Sequence, residues 1–141
     1  MTRRDTRTGA VLEEMVLAAL KQEGYNCNTQ VHIGERLGAG KHKVDIVAED
    51  AAGRICLVSL KWQQVPGTAE QKVPFEATCL ADVILKSGDK HDKAYMVLGG
   101  EGWKLREFFA GGGLRKYLVH GDLVEITTLE RFIARANRGQ I

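Results

Sequence analysis

Apolar residues recur at helical spacing between Thr8 and Glu23, with Leu12, Met15, Val16, Ala19 and Leu20 on one stripe. Thr8 fits the N-cap of this helix and Gly24 its stop. The period then changes. Tyr25 to Ile33 alternates loosely and predicts a first strand, Gly34 to Lys43 (GERLGAGKHK) a flexible, basic hairpin loop, and Val44 to Glu49 a second strand. After a turn at Ala51-Ala52-Gly53, Arg54 to Trp62 (RICLVSLKW) is apolar almost to its end, the pattern of a strand buried on both faces.

Pro66 marks a loop between Gln63 and Gly67. Thr68 then offers an N-cap with Gln71 as its capping-box partner. Pro74 predicts a short turn over 69–73 and a main helix from Pro74, where proline suits a first turn, to about Lys86. Ala94 to Leu98 reads as a fourth strand, Gly99 to Trp103 as a turn and Trp103 to Ala110 as a short helix ended by three glycines. Leu123 to Thr127 reads as a fifth strand, and Thr128 caps a last helix through about Asn137. The order is α-β-β-β-α-β followed by α-β-α. It predicts a single α/β domain over residues 1–141 with a mixed central sheet flanked by helices.

Composition changes this picture little. The chain has 141 residues, 44% hydrophobic and 27% charged, ordinary for a globular domain with its own core. No apolar run approaches the roughly 18 residues of a membrane span, and the basic start (MTRRDTRTG) lacks a signal core. Cys27, Cys56 and Cys79 form no CxxC pair and no zinc spacing with the histidines. They read as buried free thiols, hence a cytoplasmic protein. The net charge of +2 names no partner. Its distribution gathers Arg3, Arg4 and Arg7 at the start, Lys41 and Lys43 in the glycine-rich loop, and Arg131, Arg135 and Arg138 near the end, patches suited to phosphates. Gly40-Lys41 is not a phosphate-binding loop, because position 35 is Glu and His42 stands where Ser or Thr would bind Mg²⁺.

The chemistry gathers on the second and third strands. Phosphodiester hydrolysis calls for carboxylate-held divalent metal, a group that positions water, and a cation near the developing charge. Asp45 opens the second strand and Lys61 closes the third, and in an antiparallel hairpin those ends are neighbours. Lys61 shares a face with Ser59 and Leu57, while Val58, Leu60 and Trp62 pack the other. Alone, Asp45 reads as a strand-end residue and Lys61 as a surface lysine; the pairing carries the signal.

With Gly9-x-x-x-Glu13 in the first helix, Val44-Asp45-Ile46-Val47, and Val58-Ser59-Leu60-Lys61-Trp62-Gln63, residues 9 to 98 resemble the PD-(D/E)xK nuclease superfamily. The resemblance extends to the α-β-β-β-α-β core of restriction-endonuclease-like and Holliday-junction-resolvase-like members. It implies a Mg²⁺- or Mn²⁺-dependent DNA endonuclease in which Asp45 is the principal metal ligand, Lys61 orients water, and Glu13 assists at the metal. Glu14 is the rival of Glu13 but faces further from the apolar stripe. Ser59 departs from the pattern, which has Asp or Glu two residues before the lysine. The resemblance then points to a carboxylate from the following helix, either Glu76 or Glu70, with Glu76 preferred because its longer spacing reaches back over the sheet. Lys41, His42 and Lys43, with Gln63 and Thr68, are the expected nucleic-acid contacts. A homodimer suits the cutting of both strands. Ser59 also keeps open a catalytically inactive nuclease-fold module that binds DNA or protein.

Overall fold

A computed structural model describes residues 6–38 and 40–141, with side chains from residue 9 onward. The side chains of Arg3, Arg4 and Arg7 therefore lie outside the described residues, and with them the N-terminal basic cluster; the first helix begins at Thr6, so Thr8 falls inside it and is not its N-cap. The elements are α1 (Thr6–Gln22), β1 (Asn26–Glu35), β2 (Lys41–Glu49), β3 (Ile55–Trp62), α2 (Ala69–Lys86), β4 (Lys93–Gly99), α3 (Arg106–Ala110), β5 (Val124–Thr128) and α4 (Leu129–Ala136). The strands form one sheet in the order β1-β2-β3-β4-β5. The β1/β2 and β2/β3 pairs are antiparallel and the β3/β4 and β4/β5 pairs parallel, so the sheet is mixed.

Helices cover both faces. On one, Val73, Ala77 and Leu80 of α2 pack with Leu57, Met96, Leu98 and Val124. On the other, Val16 and Leu20 of α1 and Phe132 of α4 pack with Ile46, Val58, Tyr95 and Val97. This double cover explains the continuous apolar run of β3, in which Cys56 through Ser59 are all buried. At about 25 cal/mol per Å² each large side chain buried here contributes roughly 2 kcal/mol. No helix among the described residues is long and apolar enough to cross a membrane. All three cysteines are free; Cys56 and Cys79 are buried and Cys27 is half-buried. Burial pushes the Cys56 thiol up to about 11, so it stays protonated and behaves as a small core residue.

Three local expectations are corrected. The hairpin loop is shorter than 34–43, because β1 runs on to Glu35 and β2 begins at Lys41. The second helix is continuous from Ala69 with Pro74 inside it, rather than a turn followed by a helix at Pro74. Thr68 does precede that helix, but its side chain makes no cap hydrogen bond and the capping box does not form. The Gln63 side chain takes that role, accepting from the Ala69 N–H at 3.1 Å. At α4 the expected cap holds: Thr128 Oγ1 accepts from Arg131 N–H at 3.3 Å.

Candidate active site

Asp45 sits where β2 and β3 part. Their ladder runs from Glu49↔Ile55 to Ile46↔Val58 and ends there. The next main-chain donor on β3, Leu60 N–H, is met instead by Asp45 Oδ2 at 2.7 Å. The alternation of β2 changes phase at the same residue. Val44 packs with the α2 side, whereas Ile46 and Ala48 pack with the α1 side. Asp45 is half-buried at this break and also accepts from Gln30 Nε2 at 3.4 Å. Among the described residues no ion pair reaches it. Its oxygens are met by N–H dipoles rather than by a paired cation among the described residues.

Glu76, on the buried side of α2, stands in the opposite condition. His42 Nε2 lies 3.0 Å from Oε1 and Arg36 Nη1 lies 2.6 Å from Oε2. A carboxylate only accepts, so Nε2 of His42 carries the proton. Burial pushes the Glu76 carboxyl up, but the His42 hydrogen bond, the nearby Lys61 charge and the Arg36 hydrogen bond outweigh it and hold the group at about 2. Lys61, half-buried near the end of β3, therefore has Asp45 beside its strand and Glu76 within reach of its charge.

The expected metal site of Asp45, Glu13 and either Glu76 or Glu70 is not assembled among the described residues. Among the described residues no three His, Cys, Asp or Glu side chains lie close enough to share an ion. Both Glu76 oxygens are taken by Arg36 and His42, and Glu70 Oε1 accepts from Leu105 N–H at 3.0 Å. Glu13 is half-buried on α1. Its neighbour Leu12 reaches the Gly99 end of β4, so α1 brings Glu13 to the same end of the sheet as Lys61. The donor set fits a sparsely held hard cation: one uncancelled carboxylate, with water and phosphate oxygens left to complete the shell, a common Mg²⁺ arrangement.

Two expected DNA contacts are also corrected. His42 is fully buried, because the β2 phase turns it inward to Glu76. Gln63 is 7% exposed and acts as a clamp. Its Nε2 donates to Gly102 O at 2.8 Å while its Oε1 takes the Ala69 N–H, tying the loop after β4 to the start of α2. Lys41, Lys43 and Thr68 are exposed. Sequence reasoning missed Arg36 and Gln30. Arg36 stands in the basic loop with nothing local to mark it, and Gln30 reads as an ordinary strand residue.

The fold and this pair of strand ends define a nuclease-type domain. The chain matches the PD-(D/E)XK nuclease superfamily domain over residues 4–140, and it belongs to that superfamily. Among solved structures, a fdxN element excision controlling factor protein from Anabaena variabilis shares the fold, at 17% identity and a TM-score of 0.54. The match covers 87% of this chain and 94% of that one. A protein of unknown function, AF1548, matches at 15% identity and a TM-score of 0.51 over 84% of this chain, which spans 58% of that protein's length. No curated protein matches the chain.

Proposed function

We propose that this domain is a metal-dependent DNA endonuclease, with Asp45 as the residue that holds Mg²⁺ or Mn²⁺ and Lys61 as its working cation. The observation that carries the reading is the Asp45 carboxylate at the β2/β3 parting, held by Leu60 N–H and free of any ion pair among the described residues, one residue from Lys61. When bound, the divalent ion supplies Lewis-acid stabilisation of phosphate charge. Lys61 orients the attacking water and faces the charge that develops on the phosphoryl oxygens. Glu76, ion-paired with Arg36, braces the Lys61 end of the strand from behind through its charge, and Glu13 lies at the same end of the sheet. Lys41 and Lys43, exposed on β2, suit phosphate contacts that give affinity without sequence preference. Cutting a duplex takes two such sites, so the reading includes a two-fold pair of chains. Free buried thiols accord with a cytoplasmic setting.

Ser59 and the lack of three converging ligands among the described residues favour a second reading, a nuclease-fold module that binds DNA without cutting. Cleavage separates the two. Supercoiled, linear and branched DNA are incubated with Mg²⁺ or Mn²⁺ and wild type, Asp45→Ala or Lys61→Ala. Metal-dependent cutting that falls about a hundredfold or more in both variants supports the enzyme. Binding by the wild type without any cutting refutes it.

A further inference from the structure

Gln30 adopts a backbone conformation that its own side chain does not favour. Its φ is 51°, and only Asp89 shares a positive φ among the described non-glycine residues. Left-handed backbone crowds Cβ in L-residues, and glutamine lacks the local polar contacts that ease it for Asn and Asp. Hydrophobic burial does not compensate, since Gln30 is exposed. The distortion is local. The β1/β2 ladder proceeds from Asn26↔Glu49 to Thr29↔Ile46 and resumes at Val31↔Val44. The one pair missing from this run is Gln30 with Asp45. Gln30, left out of the ladder, donates its side-chain Nε2–H to Asp45 Oδ1 at 3.4 Å, while the Leu60 amide meets the other oxygen, Oδ2.

We propose that Gln30 is a positioning residue for Asp45, its strained backbone placing an amide that fixes the carboxylate for a divalent cation. This rests on the reading of Asp45 as metal ligand. Backbone strain at an exposed site persists only where its surroundings over-determine it, and here what the strain secures is one contact to one carboxylate. Groups that orient a ligand commonly govern metal affinity about tenfold to a hundredfold.

The test uses the full chain with Gln30→Gly, which relieves the strain and removes the amide, and Gln30→Asn, which tolerates the conformation but is one methylene too short. Asp45→Ala serves as reference. Three quantities are read: melting temperature, hydrogen exchange of the Leu60 amide by NMR, and Mn²⁺ affinity from the electron paramagnetic resonance of free Mn²⁺. Both Gln30 variants are expected to melt at or above the wild-type temperature. The Leu60 amide should exchange faster, toward its Asp45→Ala rate, and Mn²⁺ should bind about tenfold or more weakly. An unchanged Leu60 rate overturns the proposal whatever the metal does. So does faster exchange with wild-type Mn²⁺ affinity, since the amide then serves structure alone. If the wild type binds no Mn²⁺ while Gln30→Gly frees the Leu60 amide, the metal reading fails and the hold on Asp45 stands.

Discussion

Replacing Glu76 by glutamine tests the buried charge cluster behind Lys61 without changing its shape. The carboxyl is held at about 2 against an ordinary 4.5. At about 1.4 kcal/mol for each tenfold change in proton affinity, that difference contributes about 3 kcal/mol of folding stability at neutral pH. Glu76 is only 5% exposed, so little of this is screened by water. Glutamine offers one acceptor and one donor where the carboxylate offered two acceptors. His42 is fully buried and keeps the amide oxygen, which sets the NH₂ against the Arg36 guanidinium, donor to donor. Arg36, about one-third exposed, escapes into water and loses its ion pair. Glu76→Gln should therefore lose about 3 kcal/mol at pH 7 and melt roughly 10 °C lower. Because the folded-state value is depressed, the stabilisation is complete above pH 4.5 and fades as pH falls toward 2. At pH 3 the gap between wild type and variant should shrink to about 1.4 kcal/mol. Urea denaturation at both pH values measures it. A variant as stable as wild type at pH 7, or a gap of constant size down to pH 3, would refute an ionised Glu76 at the centre of this cluster.

Gln63→Ala should cost about 2 kcal/mol by stranding Gly102 O and Ala69 N–H, with the salt dependence of DNA binding unchanged, which a salt titration checks. Gly100→Ala should lose more than about 2 kcal/mol in thermal unfolding, because φ is 92° and an added Cβ would sit on the Gln63 carbonyl. Thr128→Ala removes the α4 cap and should cost about 1 kcal/mol by the same measurement. Asp45→Ala strands Leu60 N–H and should lose about 1–3 kcal/mol in urea, whereas Asp45→Asn keeps an acceptor and most of that stability while losing cleavage.

The element order was legible because it is written in periods of two and 3.6 that burial enforces, and the hairpin order alone set Asp45 near the end of β3. The double cover of the sheet makes RICLVSLKW continuous and fixes the register that sets Asp45 beside Leu60. What escaped were partnerships made across the fold. Glu76 and Arg36 are 40 positions apart, and no spacing rule joins them. Gln63 and His42 look like exposed polar residues at strand ends, yet tertiary contacts bury both. Pro74 looked like a helix start, but the Gln63 clamp begins the helix five residues earlier.

Asp45 and Glu76, both at the Lys61 end of β3, keep different company, and in the proposed reading this sets which one is free to meet a cation. Glu76 is ion-paired with Arg36, hydrogen-bonded by His42 and further held by the Lys61 charge, so adding a metal there would require breaking contacts on both of its oxygens. Asp45 receives a main-chain amide and a glutamine amide, dipoles that orient its oxygens without cancelling its charge. On that argument Glu76 belongs to the scaffold that ties the hairpin loop and β2 to α2, and in the proposed reading Asp45 is the carboxylate left for a divalent ion.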